Sequence, residues 1–345
     1  MPGGGLKLFS VSLAIGCAAF LAGCQVTDRS RLSDAASVNS YDAYATPGTM
    51  VRVDGSRRIN LRCSGNGPVT VLLEAGLGYP SYSWRKVQPL IADFARVCSY
   101  DRAGLGFSDA GPMPRSASAS ADDIDRLVAS GAIKPPLLLI GGSLGGQIVR
   151  LYAFRNPKTV IGLVLVDPYA EGQYQAFAKI EPAINQELVD LAAEEKRCVE
   201  ALRSGLANDE AERQGCVQAP SDEFSDRLKA VVRGQRMSPK DYEASYSESL
   251  MLDTENETTI GRERRDLSPM PVIILSATNE FGSERLKPVR AALLTEKAKL
   301  HRDIASISAD GEVRLIDAAH VIQSDVPETV VAAIRDALAQ MKSDK

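Results

Sequence analysis

The stretch from residue 137 to residue 155 constrains the fold of this chain more than any other. Residues 137–140 form a short apolar run, typical of a strand buried on both faces, and the pattern G-x-S-x-G follows directly at 141–145. Helical spacing begins at Leu144, so the chain must reverse from strand to helix within one or two residues. Glycine suits such a turn because larger side chains would collide with neighbouring backbone. The pattern predicts a strained turn that exposes the Ser143 hydroxyl at a helix N-terminus.

Short apolar runs alternate with helical patterns on both sides of this turn. After a hairpin over 50–63, strands are predicted at 69–74, 96–100, 137–140, 161–166, 272–275 and 312–316. Helices are predicted at 83–94, 121–130, 144–154, 286–300 and 326–341. This alternation predicts an α/β fold, a mostly parallel sheet with helices on both faces. The alternation of strands and helices is interrupted over residues 167–266. We interpret this segment as a helical lid inserted between two parts of one core, 49–166 and 267–345.

Composition excludes several classes of function. The 40 basic and 44 acidic residues give a formal charge of −4, and no basic stripe is visible, so a nucleic-acid partner is not expected. With two histidines in 345 residues, a multi-histidine metal site is not expected either, and no cofactor is predicted. A nicotinamide site is rejected because Pro80 follows the glycines at 76 and 78 where a helix would have to begin.

The first 23 residues have the pattern of an export signal. Lys7 precedes an apolar run of about 15 residues, too short to cross a bilayer core of about 30 Å. The run ends in a segment that resembles a bacterial lipobox, which implies that Cys24 carries lipid and begins the mature chain. By the same resemblance, Gln25 favours a periplasmic protein anchored to the outer membrane of a Gram-negative bacterium. The alternative is an ordinary cleaved signal. Residues 24–48 are predicted to be a flexible tether.

Several blocks of the sequence resemble the α/β-hydrolase family, in its esterase- and lipase-like branch. Besides the turn at 141–145 they are residues 72–78, 98–109, 162–168 and 317–320. The likeness covers roughly 50–166 and 267–340. It implies an α/β-hydrolase fold with a helical lid, and a serine hydrolase that cleaves a small-molecule ester or amide through an acyl-enzyme.

The resemblance also implies a catalytic triad. Ser143 would be the nucleophile, and His320, in the loop after the last predicted strand, would be the base that activates it. Glu280 follows the strand at 272–275, at the family's usual position for the acid, and Asp167 at the end of the preceding strand is the alternative. His301 lies in a charged helical stretch, and we expect it on the surface.

Backbone groups and a loop-fixing block complete the predicted site. The N–H groups of Leu77 and Leu144 are expected to form the oxyanion hole, one after the first parallel strand and one after the nucleophile. The block at residues 101–106, which includes Arg102, is predicted to fix a loop by a salt bridge. Its predicted role is structural.

Four cysteines remain once Cys17 leaves with the signal and Cys24 carries lipid. The strand neighbours of the family's topology imply a Cys63–Cys98 disulfide, and Cys198–Cys216 would close a loop in the lid. Four free, buried thiols are the alternative.

Three functions stay open at this point. The first is a serine hydrolase acting on esters or amides. The second is a peptidase that resembles prolyl aminopeptidases, which would need acidic lid residues, such as Glu194 or Glu195, to bind an ammonium group. The third is a catalytically silent scaffold or binding protein of the cell envelope.

Overall fold

The computed structural model of this chain describes residues 41–343, and a single eight-stranded sheet forms its centre. The strands are β1 (Thr49–Asp54), β2 (Arg57–Ser64), β3 (Thr70–Glu74), β4 (Arg96–Tyr100), β5 (Leu137–Gly142), β6 (Val160–Val166), β7 (Val272–Ala277) and β8 (Gly311–Ile316). Their order in the sheet is β1-β2-β4-β3-β5-β6-β7-β8. The pairs β1–β2 and β2–β4 are antiparallel and all later pairs are parallel. The fold class predicted from the sequence is confirmed.

Twelve α-helices accompany the sheet in the described range. They are α1 (Gln88–Ala92), α2 (Ala117–Ala129), α3 (Leu144–Arg155), α4 (Gln173–Ile180), α5 (Ala183–Arg203), α6 (Asn208–Arg213), α7 (Asp226–Arg236), α8 (Pro239–Leu252), α9 (Glu255–Glu263), α10 (Arg290–Ala305), α11 (Ile322–Asp325) and α12 (Pro327–Ser343). Helices α4 to α9 all lie between β6 and β7, within the segment predicted to be a lid. No helix of residues 41–343 is long and apolar enough to cross a membrane.

The central strands are buried on both faces, which explains their continuous apolar sequences. In β5, Leu137 and Leu139 belong to one hydrophobic cluster, while Leu138 and Ile140 belong to another on the opposite side of the sheet. Helices α2 and α3 cover the first side, and α1 and α12 cover the second. A parallel sheet enclosed in this way leaves its functional groups to the loops at the carboxyl ends of the strands.

Two predicted helices begin later than their spacing indicated. The pattern at 83–94 is a 3₁₀ turn, Ser81–Trp84, followed by the short helix α1. The pattern at 286–300 is likewise a 3₁₀ turn, Lys287–Val289, followed by α10. A proline lies at the start of α1 and within the second 3₁₀ turn. Proline lacks an N–H donor and is tolerated only in the first turn of a helix, so the hydrophobic spacing alone placed both boundaries too early.

The two predicted disulfides are both present. Cys63 and Cys98 are direct partners across β2 and β4, with Cα atoms 4.1 Å apart. Cys198, on α5, is joined to Cys216, just after α6, with Cα atoms 5.0 Å apart.

The N-terminal expectations fall mainly outside the described residues. The predicted signal at 1–23, the lipid site Cys24 and most of the predicted tether precede residue 41. The end of that tether needs correction, because Tyr41–Ala45 form a 3₁₀ helix. Ala45 is buried against Tyr82 and Phe224, and this apolar contact makes the segment part of the folded core.

Candidate active site

Ser143 lies in a strained turn between β5 and α3. Its backbone has φ 50° and ψ −118°, in the region that L-residues rarely adopt. A Cβ at position 141 would come within 2.4 Å of the Gly145 carbonyl oxygen, and one at position 145 within 2.5 Å of the Glu74 carbonyl oxygen. The turn therefore requires both glycines. The Ser143 N–H donates a hydrogen bond to the Val166 carbonyl oxygen at 3.1 Å, which fixes Ser143 beside the end of β6.

His320 lies beside two carboxylates at the ends of β6 and β7. Its Nδ1 is 2.6 Å from Asp167 Oδ2 and 3.5 Å from Glu280 Oε1. The carboxylate that hydrogen-bonds to Nδ1 is thus that of Asp167, the alternative acid of the sequence, while Glu280, the first choice, lies at salt-bridge distance. Asp167 reaches the ring because its backbone turns at φ 43° and its Oδ1 accepts a hydrogen bond from the Ala277 N–H at 2.8 Å. Glu280 remains the second carboxylate of the group.

Lys297 on α10 completes this group and was missed in the sequence. Its side chain is 5% exposed, and its Nζ is 2.6 Å from Asp167 Oδ1, in contact with Glu280 Oε2, and 3.1 Å from the Ala277 carbonyl oxygen. Asp167, Glu280 and His320 each offer a ligand atom within 4.8 Å of the others, as a metal site would require. The ammonium already supplies positive charge to both carboxylates, so these residues fit a salt-bridge network better than a cation site.

The charges of this group shift its pKa values in opposite directions. Burial alone would raise the pKa of Asp167, but Lys297 and His320 outweigh it and hold that pKa well below its ordinary value. Burial would lower the pKa of His320, but the hydrogen bond of Asp167 and the negative charges of Asp167 and Glu280 outweigh it and raise that pKa to about 9. A histidine with this pKa carries a proton at neutral pH, and its neutral form, which can accept a proton, becomes dominant only as the pH approaches 9.

The expectation that His301 lies on the surface is wrong. The residue is completely buried, with Nδ1 2.8 Å from Ser276 Oγ and Nε2 3.0 Å from the Pro168 carbonyl oxygen. Because a carbonyl only accepts hydrogen bonds, we assign the proton to Nε2. Burial lowers the pKa of His301 to about 4, so it is a neutral, structural residue beneath the loop that carries Asp167.

The loop at residues 75–78 runs past Ser143 and contains the predicted oxyanion donor Leu77. A Cβ at Gly76 would be 3.4 Å from Ser143 Cβ, so the backbone of this loop lies directly against the serine. Leu144 is the first residue of α3, where N–H groups have no acceptor within the helix. Leu77 and Ser143 both line the same cavity. The loop that contains Leu77 and the helix that begins at Leu144 thus both adjoin the serine.

Arg102 holds this loop, as the structural role predicted for residues 101–106 requires. Its guanidinium donates to the Ala75 and Gly76 carbonyl oxygens, both at 2.7 Å, and to Glu74 Oε1 at 2.7 Å. It also donates to both oxygens of Glu248 on α8, at 2.6 and 2.8 Å, and Glu248 in turn accepts the Gly78 N–H at 2.9 Å. One buried arginine thus ties the loop to the core and to the lid.

A cavity of about 680 Å³ opens between the sheet and the lid. Ser143, His320, Asp167, Glu280 and Leu77 are among the residues that line it. The lining also includes four aromatic residues of the lid, Tyr169, Tyr174, Phe177 and Phe224, and three of the core, Tyr79, Tyr82 and Phe281. The volume lies in the range of small-molecule sites.

Comparison with known proteins assigns the family. The model of the Alpha/beta hydrolase family matches residues 71–333, well over half of the chain. The chain therefore belongs to the Alpha/beta hydrolase family, which confirms the resemblance at this level.

Three individual proteins compared with this chain share only a quarter or less of its residues in the aligned regions. The protein YqjL of Bacillus subtilis is 25% identical over 288 residues, which cover 82% of this chain and 89% of YqjL. Among solved structures, a thermophilic esterase from Thermogutta terrifontis matches 86% of this chain and 98% of its own, with a TM-score of 0.58 and 20% identity. The epoxide hydrolase CorEH matches 85% and 98%, with a TM-score of 0.57 and 17% identity. At these identities the structures support the fold alone.

Proposed function

We propose that this protein is a serine hydrolase that cleaves a carboxylic ester or an amide through an acyl-enzyme. The observation that carries the proposal is a serine held in a strained turn in the same cavity wall as a histidine whose Nδ1 is bound by a buried carboxylate. Contact between Nδ1 and Asp167 leaves Nε2 as the ring nitrogen available to the serine. Ser143, His320 and Asp167 then have the roles of nucleophile, base and orienting acid.

Each residue has a distinct task in this mechanism. His320 accepts the hydroxyl proton as Ser143 Oγ attacks the substrate carbonyl, and it later returns a proton to the leaving group. The negative charge of Asp167 stabilises the imidazolium during both steps. The carbonyl oxygen becomes an oxyanion between the N–H groups of Leu77 and Leu144. Water then repeats the sequence on the acyl-enzyme and releases the acid.

A fluorophosphonate probe tests this proposal directly. We expect stoichiometric labelling of the wild type, with the modified peptide containing Ser143, and no labelling of Ser143→Ala. The matched control is Ser83→Ala, since Ser83 lines the same cavity but lies outside the strained turn; this variant should still be labelled. A wild type that folds and stays unlabelled would instead support the catalytically silent envelope protein.

One observation favours a second candidate, a peptidase acting at a free amino group. Glu195 on α5 lines the cavity and accepts a hydrogen bond from Ser249 Oγ at 2.7 Å, and no salt bridge joins it to a cation whose side chain the structure describes. Such a carboxylate could bind a substrate ammonium. Aminoacyl p-nitroanilides and p-nitrophenyl esters of rising chain length discriminate the two. Faster turnover of the anilides, lost in Glu195→Gln, would favour the peptidase.

We further propose that the protein is exported and held in the periplasm by lipid on Cys24. The argument is the lipobox-like sequence at 21–24, together with two disulfides, which persist in oxidising compartments. Membrane extraction of the wild type and of Cys24→Ala tests it. The variant should be recovered in the soluble periplasmic fraction, while equal membrane retention of both would contradict the proposal.

A further inference from the structure

The charged side chains that line the cavity differ in whether they have a partner of opposite charge. Asp167, Glu280 and His320 surround Lys297, while Glu187 pairs with Arg285 and Arg85 pairs with Glu223. Among the described residues, two lining charges have no such partner, Glu195 and Arg236. Glu195 is the basis of the second candidate function. Arg236 is the cation for which no role has been found.

Arg236 is the last residue of α7, and its hydrogen bonds are all to neutral groups. The nearby carboxyl of Asp241 acts on it through charge alone, without a salt bridge. Its Nη2 donates to the Tyr82 hydroxyl at 2.9 Å, and its Nη1 contacts the carbonyl oxygens of Gln218 and Ala219. Arg85 offers a comparison in the same cavity, because its Nη2 lies 2.6 Å from Glu223 Oε2. A guanidinium carries five N–H donors, so the three contacts of Arg236 leave donor capacity for a ligand.

The surroundings of Arg236 suit an anion. Tyr82 is buried, and its hydroxyl oxygen accepts from Arg236, so its own proton is available to a second acceptor. Burial raises the pKa of Tyr82 to about 12, which keeps that proton in place at neutral pH. The Tyr79 hydroxyl donates to the Gln218 side-chain oxygen at 3.0 Å, which orients the segment beside Arg236. Half-buried donors of this kind bind carboxylates through charge-assisted hydrogen bonds.

A second set of lining residues is apolar. Phe177 and Phe281 pack edge to face with ring centres 5.4 Å apart, and Ile184 and Leu286 belong to the same hydrophobic cluster. Tyr82 belongs to a different cluster, formed with α7 and residue 45. The cavity thus offers a cationic, hydrogen-bonding region and a separate aromatic region.

We propose that Arg236 and the Tyr82 hydroxyl bind a carboxylate of the substrate, so that the preferred substrate is an ester that carries an anionic group. The inference rests on the proposed function, because it assigns the group recognised in the same cavity as Ser143. It identifies the chemical class of substrate: half-esters of dicarboxylic acids or esters of a carboxylated alcohol or phenol.

Matched substrate pairs test the preference. One pair carries the charge on the acyl side, mono-p-nitrophenyl adipate against its neutral methyl ester. The other carries it on the leaving group, 4-acetoxybenzoate against methyl 4-acetoxybenzoate. For at least one pair, we expect the wild type to have the higher kcat/KM on the anionic member. In Arg236→Gln, kcat/KM on that member should fall roughly tenfold to a hundredfold, while kcat/KM on the neutral member stays unchanged.

Two further variants separate recognition from general effects of charge or folding. Arg236→Lys keeps the positive charge and should retain part of the preference. Arg233→Gln removes a charge from the same helix, but Arg233 pairs with Glu212 at 2.7 Å and does not line the cavity, so the preference should persist. Equal kcat/KM for both members of both pairs in the wild type, or an undiminished preference in Arg236→Gln, would overturn the proposal.

A binding measurement separates this proposal from the hydrolase assignment. Calorimetry on Ser143→Ala, with monomethyl adipate against dimethyl adipate, requires no catalysis. The monoester should bind more tightly, and the difference should vanish in Ser143→Ala/Arg236→Gln. If the wild type hydrolyses no ester but this difference holds, the serine hydrolase is rejected and the anion site stands. If esters are hydrolysed but the two ligands bind Ser143→Ala alike, the anion site is rejected and the hydrolase stands.

Discussion

Two buried cations in the candidate active site each lie between two carboxylates. Arg102 bridges Glu74 and Glu248 beside the loop at 75–78, while Lys297 bridges Asp167 and Glu280 beside His320. The arginine spreads its donors over both carboxylates and two backbone carbonyl oxygens, so it fixes the position of a loop. The lysine is a compact charge, and one of its carboxylates also contacts a residue proposed to transfer protons. The two charge arrangements are therefore similar, but the one around Arg102 fixes the position of a loop, and the one around Lys297 includes the carboxylates that raise the proton affinity of His320.

The largest expected effect concerns the carboxylate that contacts His320. Asp167→Asn keeps the shape of the side chain but removes the charge that stabilises the imidazolium and fixes the tautomer. We expect kcat on a p-nitrophenyl ester to fall by about 10⁴-fold. Glu280→Gln is the matched control, since Glu280 lies farther from Nδ1, and its loss should be far smaller. The reverse ranking would make Glu280 the triad acid.

Removing the charge of Arg102 should lower the stability of the fold. Arg102→Met leaves Glu74 and Glu248 buried without a counter-charge, and we expect the free energy of unfolding in urea to fall by about 3–5 kcal/mol. Arg58→Met is the control, because the side chain of Arg58 is 51% exposed and that of its partner Asp109 is 35% exposed. That variant should lose about 1 kcal/mol or less. Similar losses for both variants would show that the buried bridge has no special role.

The pH dependence of the reaction reports the charges around His320. His320 must be neutral to accept a proton, and its pKa is raised to about 9. We therefore expect kcat/KM to rise about tenfold per pH unit until the pH reaches about 9. Glu280→Gln removes one of the anions that stabilise the imidazolium. The rising limb of the profile should then move to lower pH. An unchanged limb in this variant would mean that Glu280 does not influence the base.

The parts of this molecule that could be predicted from sequence depend on neighbours along the chain. A buried strand, two glycines and a following helix define the turn at Ser143 locally, and the apolar runs of β3, β5 and β6 reflect burial on both faces. The choice between Asp167 and Glu280 could not be made in this way. It depends on a positive φ at residue 167 and on a backbone N–H from β7, neither of which leaves a sequence pattern.

Charged residues on a buried face were the main source of error. On α10 the buried positions include Leu293, Lys297, His301 and Ile304, which recur at helical spacing. Two of the four are titratable, so a pattern based on hydrophobicity assigned this face to solvent. The helical spacing would predict this buried face if Lys297 and His301 were counted as residues that can be buried once they have a partner. The contact between Arg102 and Glu248 joins residues 146 positions apart, beyond the reach of any local pattern.

The smallest expected effect tests whether the lid positions the loop at 75–78, which contains the proposed oxyanion donor Leu77, through Arg102. Glu248→Gln removes the charged acceptor of the Gly78 N–H and of Arg102, while Glu74 and the two carbonyl oxygens continue to hold the guanidinium. Deleting a whole oxyanion donor costs about 10²- to 10³-fold in kcat, so a loosened loop should cost about tenfold. The control Glu243→Gln removes an exposed acid of the same helix that pairs with Arg203. If kcat falls equally in both variants, or in neither, the loop is positioned by the core without help from the lid.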